Sequence, residues 1–347
     1  MKKKIFKVGN DIFPVDEKKH LIDFLSPATL GTKYWQSKPD SKPNKRQFAR
    51  VILQIHQLLH FVYQLRINLN NKNFIDIGTG NGLIPKLIGS FFNTKNCYGI
   101  DPYMDGEHVT SWQIHDQNEF FNKIKNYFLE KKGENYIFDH KKYRSLLTNE
   151  QYQFYPKFLK IEKTTNINKY KFKKLSVDKI HKLNLKFDFI YCKAFEHIGS
   201  SEKFFLKISN VLNKNGVVYL KHRPFFSYLG AHRYASTSIP WGHVLLKDVD
   251  YKKYCLKFCK KRSKKMIKFY FNSLTYPRIT IKDLLKLASK FDLKAIKIIY
   301  EKDIDLKKKI NLSNSVKDFW KIIRNNYPTL SKKELLSGMT HIVLKKK

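Results

Sequence analysis

One stretch limits what this chain can become: Asn73-Phe74-Ile75-Asp76-Ile77-Gly78-Thr79-Gly80-Asn81-Gly82-Leu83-Ile84. Its opening apolar run around a single acid predicts a short strand. Three glycines at alternate positions predict a tight turn, and Leu83-Ile84-Pro85-Lys86-Leu87-Ile88 predicts a helix. Strand, Gly-rich turn and helix in this order open a nucleotide-binding α/β unit. Glycine lets a backbone approach a ligand where a side chain would block it. The first turn of the helix leaves N–H groups unpaired and aimed at an anionic group. The spacing is G-x-G-x-G, with Leu83 where a dinucleotide-binding turn carries its last glycine. The plain alternative is a tight turn between strand and helix that holds no ligand.

The remaining chain continues the α/β pattern. Phe48, Val51, Ile52, Ile55, Leu58, Leu59, Val62 and Leu65 recur at helical spacing and predict an amphipathic helix over 44–69. A second strand, Cys97-Tyr98-Gly99-Ile100, ends at Asp101-Pro102. Asp101 stands 19 residues after Gly82, where a doubly wound fold hydrogen-bonds ribose hydroxyls. Leu175-Ser176-Val177 predicts the end of a third strand, Phe187–Cys192 a fourth, Val217–Leu220 a fifth, Leu293–Tyr300 a sixth and Met339–Leu344 a seventh. Ser200 caps the helix before the fifth strand, and Asn215-Gly216 ends it with Gly216 left-handed. Thr280-Ile281-Lys282-Asp283 opens another helix as a capping box. Residues 1–44, broken by Pro14, Pro27, Pro39 and Pro43, predict loose order.

Asp76, two residues before Gly78, followed by the G-x-G-x-G turn, resembles the first motif of the class I S-adenosylmethionine (SAM)-dependent methyltransferases. Phe187-Asp188-Phe189-Ile190, running into Phe195-Glu196-His197-Ile198, is similar to that family's fourth strand and the loop after it. The resemblance implies a doubly wound, Rossmann-like α/β fold. Its seven-stranded sheet is mostly parallel, with the last strand antiparallel between the fifth and sixth, and it carries lid insertions. It also implies a single methyltransferase domain over 1–347, with an N-terminal lid and helix at 1–70. The cofactor-binding core covers 71–102 and 175–221, with insertions at 103–174 and at 222–278, the latter beside the acceptor. A C-terminal helix and strands occupy 279–347, with an excursion at 301–335.

The cofactor so implied is SAM. Asp76 holds the amino group of its methionine end, and Gly78, Thr79, Gly80, Asn81 and Gly82 run alongside. Asp101, followed by Pro102, takes the ribose hydroxyls, Asp178 takes the adenine amino group, and Cys192 and Lys193 close the site at the end of the fourth strand.

Methyl transfer from a sulfonium asks the protein mainly for alignment, a proximity effect. A base helps when the acceptor is a hydroxyl or an ammonium, and histidine suits that role near neutral pH. From His222 to His243 the chain holds His222-Arg223-Pro224-Phe225-Phe226, Gly230-Ala231-His232-Arg233-Tyr234 and Ile239-Pro240-Trp241-Gly242-His243. This run starts at the carboxyl end of the fifth strand, where loops carry function. The catalytic candidates are His232 and His243, with His197 and Glu196 behind them. A structural hydrogen bond is the plain role for any one of these histidines. The Gly-x-His and Pro-Trp-x-His pieces are similar to a segment of methyltransferases associated with surface sugars. The expected acceptor is therefore a small molecule or a sugar or surface-polysaccharide precursor. Tyr34 and Trp35 are either part of a lid or packing for the next helix.

The formal charge of +39 suits a nucleic-acid partner, and an RNA methyltransferase or a basic nucleic-acid-binding protein is the alternative reading. Only nine of the 68 basic residues are Arg, and the Lys is spread over nearly every segment among Ile, Asn, Phe and Tyr. Codon bias explains that mixture better than a binding face. No Asn-Pro-Pro-Tyr-like motif follows the fourth strand, where Cys192-Lys193-Ala194-Phe195 stands. A non-enzymatic binding protein would have no need to keep Asp76, the glycines and Asp101. Cys97, Cys192, Cys255 and Cys259 lack zinc-site spacing and predict free buried thiols; no metal site is singled out, and a metal-assisted sugar O-methylation with His and Asp248 as ligands stays open, its spacing not diagnostic. No window reaches the length of a membrane helix, and the basic start lacks the apolar core of a signal peptide; the expectation is a cytoplasmic protein.

Overall fold

The computed structural model describes residues 4–15, 45–80, 82–102, 119, 121–126, 170–228, 230, 235–302 and 306–347. Its centre is a seven-stranded sheet. In chain order its strands are β3 (Asn73–Ile77), β4 (Asn96–Asp101), β5 (Tyr170–Lys174), β6 (Phe187–Cys192), β7 (Leu212–His222), β8 (Leu293–Lys302) and β9 (Ser337–Lys346). Their order across the sheet is β5-β4-β3-β6-β7-β9-β8. The pairs β3–β4, β3–β6, β4–β5 and β6–β7 are parallel, and β9 runs antiparallel to β7. The doubly wound, mostly parallel α/β fold with an inserted antiparallel last strand is thus the one the sequence implies.

Parallel strands are covered on both faces, so the central ones read as continuous apolar runs. Phe74, Ile75, Phe189, Ile190 and Tyr191 are all buried. Asp188 is the polar exception in β6. Its Oδ2 accepts the backbone N–H of Asn73 at 2.8 Å, and its Oδ1 accepts Asn213 Nδ2 at 2.9 Å. One carboxylate thereby ties the start of β3 to β6 and to the start of β7. The acid of the Phe-Asp-Phe-Ile motif is a structural clasp.

The chain divides into two compact units. The first holds α1 (Lys45–Gln64), α2 (Leu83–Phe91), β3 to β6, most of β7 and the end of β9. Helix α1 buries Ile52, Ile55, Leu58, Leu59, Phe61 and Val62, as its periodicity predicts. It also buries Gln54, His56, Gln57 and His60, an unusually polar set for a core helix face. Helix α2 follows the glycine turn and packs on β4, with Cys97 Sγ donating to the Pro85 carbonyl at 3.0 Å.

The second unit holds a hairpin of β1 (Lys4–Val8) and β2 (Asp11–Val15), then α4 (Asp248–Phe258), α5 (Ser263–Asn272), α6 (Ile281–Ser289), β8, α7 (Leu306–Asn314), α8 (Phe319–Asn326) and the start of β9. Helix α3 (Ser201–Val211) is divided between the units. The second unit's core is rich in aromatics: Trp241, Tyr251, Tyr254 and Tyr270 are fully buried, and Tyr251 stacks on Tyr270 at 3.9 Å.

Several local expectations hold. Ser200 Oγ accepts the N–H of Lys203, capping α3. Thr280 accepts the N–H of Asp283 at 3.2 Å, so the N-cap half of the capping box forms, and the Asp283 carboxylate accepts the Thr280 hydroxyl. All four cysteines are free and buried. Others need correction. Residues 4–15 form a hairpin, with Gly9 left-handed at the turn, where loose order was expected. The third strand is Tyr170–Lys174, and Val177–Leu183 is a 3₁₀ helix instead of a strand end. The left-handed residue after α3 is Asn215, at φ 64°; Gly216 is an ordinary member of β7. Most of the expected 103–174 insertion, with Tyr34 and Trp35, lies outside the described residues.

Candidate functional site

The glycine turn joins β3 to α2 in the first unit. Gly78, Gly80 and Gly82 have φ of 72°, 61° and 72°, a left-handed region costly for any residue with a Cβ. The turn hangs from the end of β4. The N–H groups of Gly78 and Thr79 both donate to the Ile100 carbonyl, at 2.9 and 3.1 Å. The N–H of Gly80 donates to Asp101 Oδ2 at 3.1 Å. Asp101 therefore shapes the loop as well as standing beside it, and an ionised carboxylate still has acceptor sites for further hydroxyls. At Gly82 a Cβ would sit 1.9 Å from the hydroxyl of Tyr170, the first residue of β5. Asn81 lies outside the described residues.

Beneath the turn is Asp76, only 2% exposed. Burial pushes its carboxyl up to about 7. The Thr79 hydroxyl and the Lys193 ammonium pull it down, and the neighbouring Asp101 pushes it further up. Thr79 Oγ1 is itself buried without a well-formed hydrogen bond. Lys193 follows the last residue of β6, and its Nζ donates to Gln54 Oε1 of α1 at 2.7 Å. Cys192 is fully buried between Ile77 of β3 and Leu220 of β7. Asp178 is exposed in the first turn of the 3₁₀ helix after β5. Its loop begins next to Asp101, since the Leu175 N–H donates to the Asp101 carbonyl at 2.9 Å. Pro102 follows directly. A buried carboxyl so poorly compensated fits a ligand that brings a positive charge, because an opposite charge restores the ionised form.

The second unit brings together a different group. The loop after β6 forms a 3₁₀ turn, Phe195–His197. His197 is exposed, and its Nδ1–H donates to the Ser273 carbonyl at 2.8 Å. Thr275 binds the same loop twice: its N–H donates to the Glu196 carbonyl at 2.8 Å and its hydroxyl to the Phe195 carbonyl at 2.7 Å. Glu196 and Phe195 line an open cleft with His222, Arg223, Phe225 and Arg278. His243 is absent from that lining. It is 1% exposed, and its Nε2 lies 2.9 and 3.1 Å from the carbonyls of Phe225 and Ser227, so Nε2 carries the proton and donates to them. Its imidazole braces the backbone at Phe225 and Ser227. His232 lies outside the described residues.

Sequence reasoning missed three side chains here. Gln54 gives no signal, because a glutamine on a core helix reads as exposed until Lys193 is seen beside it. Tyr170 was hidden by the misplaced third strand. His222 was visible as the residue two positions after a predicted strand, but nothing in the sequence separated it from its neighbours. Among the described residues no group of three or more His, Cys, Asp or Glu could hold a metal ion.

A family model described as a methyltransferase domain matches residues 45–250. A search of curated proteins finds no significant match. Among solved structures the chain is similar to the plantazolicin methyltransferase BamL in complex with a triazolic desmethylPZN analog and SAH, at 13% identity and a TM-score of 0.40, covering 93% of this chain and 92% of that one. It is similar to the cyclopropane synthase MmaA2 from Mycobacterium tuberculosis at 12% identity and a TM-score of 0.40, covering 85% and 84%. The YcgJ protein from Bacillus subtilis follows at 11% identity and a TM-score of 0.37, covering 86% and 98%.

Proposed function

From the premise that this chain belongs to the class I SAM-dependent methyltransferases, we propose that it moves a methyl group to an oxygen or nitrogen of a small molecule or a sugar precursor. The observation that carries the reading of the site is Asp76. A carboxyl buried to 2% exposure and held at about 7 is costly, and it lies at the end of the strand that runs into the glycine turn.

SAM supplies, when bound, a methyl group on a positively charged sulfur, open to in-line displacement. Asp76 binds the amino group of its methionine end. The turn Gly78-Thr79-Gly80-Asn81-Gly82 admits that end because three of its five residues have no side chain. Asp101 keeps the turn in shape through Gly80 and offers its carboxylate to the ribose hydroxyls. Asp178 stands for the adenine amino group, with Pro102, Cys192 and Lys193 closing around the nucleoside.

The acceptor side needs alignment more than acid–base strength. Glu196 lines the cleft of the second unit, so it is the first choice for a base or a hydrogen-bond acceptor. His197 and His243 spend a ring nitrogen on backbone carbonyls, and they serve the site by fixing its loops. His232 remains the second choice for the base.

Calorimetric titration with SAM and with its demethylated product tests the assignment. Saturable binding is expected for the natural protein and its loss for Asp101→Ala and Gly80→Val. Unchanged binding by those variants, shown to be folded, would sink this cofactor site.

A further inference from the structure

The cleft of the second unit has a composition that selects a ligand. Arg223 is half-buried and makes no ion pair among the described residues. Arg278 is fixed rigidly: its two terminal nitrogens donate to the carbonyls of Thr275 and Tyr270. Its guanidinium lies 4.5 Å from the Phe225 ring and 4.7 Å from the Tyr270 ring. No carboxylate pairs with it among the described residues, and its Nε is buried without a partner. Glu196 is the one acid in the lining, which leaves a net charge of about one positive unit at the cleft. The other walls are apolar: Phe195, Phe225, Leu274, Pro277 and Ile279.

His222 supplies the second, independent observation. It is the last residue of β7, it lines this cleft, and it is 6% exposed. Its Nδ1 is buried and has no hydrogen-bond partner. A buried polar atom left unpaired is costly, and a ligand that pairs it recovers that cost. Burial pushes the imidazole down to about 3, so it is neutral at ordinary pH and can accept an O–H or N–H. Both His222 and the Phe195–His197 loop lie at or just past the carboxyl ends of parallel strands, where open α/β sheets take their ligands.

We propose that this cleft binds an organic monoanion, an apolar body carrying one carboxylate and one hydroxyl or amino group. The carboxylate lies against Arg223, whose planar fork matches it in two parallel hydrogen bonds. The apolar body lies between Phe195 and Phe225. The hydroxyl or amino group donates to His222 Nδ1. One net positive charge suits a carboxylate and leaves a dianionic phosphate undercompensated. The binding of this monoanion does not depend on the methyltransferase reading.

The test uses the full chain saturated with demethylated cofactor, titrated with 4-hydroxybenzoate, 4-hydroxybenzamide and phenyl phosphate by ligand-observed NMR. The expected result is 4-hydroxybenzoate at least ten-fold tighter than the other two. Arg223→Gln removes that preference, and Arg223→Lys restores only part of it. His222→Phe weakens 4-hydroxybenzoate more than benzoate, a difference a merely misfolded variant would not show. Equal binding of acid and amide, a preference for the phosphate, or indifference to Arg223→Gln would each overturn the proposal. Cofactor titration of the same samples is read separately. Cofactor binding without discrimination by the cleft refutes this inference alone, and discrimination without cofactor binding refutes the cofactor site alone.

Discussion

At the scale of single residues, Asp76 makes a prediction about pH. Its proton is held up to about 7 by burial, and the proposed ligand is an ammonium that needs the ionised form. Binding is therefore linked to loss of that proton: affinity for SAM rises as pH goes from 6 to 8 and levels off above. Titrations across that range should show the rise, and Asp76→Asn should bind at least ten-fold more weakly with no slope. A wild-type affinity flat across the range would contradict the role given to Asp76. Gly82 makes a prediction about stability. Its φ of 72° costs an alanine about 1–2 kcal/mol. The added Cβ would also meet the Tyr170 hydroxyl. Gly82→Ala should lower the thermal midpoint by more than Gly82→Ala with Tyr170→Ala does relative to Tyr170→Ala alone, because the double variant removes the clash and keeps the backbone strain.

Among the elements, α6 shows how a helix start is held from two directions. Thr280 caps the N–H of Asp283, and the carboxyl group of Glu334, from a short helical turn at Lys332–Leu335, takes the N–H of Ile281 at 3.1 and 3.0 Å. Thr280→Ala should cost about 1 kcal/mol in chemical denaturation. Burial raises Glu334 to about 8, more than the Ile281 N–H lowers it. The native state then binds a proton that the unfolded chain has released, so this group's contribution to stability is full below about 4.5 and is lost as pH rises to 8. Thermal midpoints of Glu334→Gln should lack that part of the fall. The capping box was legible because its hydrogen bond spans three residues. So were β3, β4 and β6, whose burial on both faces writes an apolar run into the sequence. Strand β5 was not: Tyr170-Lys171-Phe172-Lys173-Lys174 is the edge of the sheet and carries as much charge as a loop. The hairpin at 4–15 was missed for a similar reason, with Ile5 and Ile12 exposed and a proline in β2. The glycine turn revealed the cofactor side because backbone conformation demands glycine there. The role of His243 could not be read, because the carbonyls it serves lie 16 and 18 residues back along the chain.

For the whole molecule, the charge of +39 makes polyanion binding unavoidable at low salt. Lysine spread over most of the chain should bind RNA of any sequence at about 50 mM salt and release it by about 200 mM, a loss of several powers of ten for a protein making several phosphate contacts. Fluorescence titrations with two unrelated RNAs would measure this. Tight, sequence-dependent binding that survives 200 mM salt would overturn the view that the charge is compositional. The order of the sheet has a further consequence, in time. Strand β9 lies between β7 and β8, yet it is made some 35 residues after β8 ends. Until β9 is laid against β7, β8 has no edge to join. The last steps of folding are therefore the addition of β9 to the open β7 edge and of β8 to β9. A ribosome stalled before Ser337 would carry a half-built sheet with the β7 edge open to any passing strand.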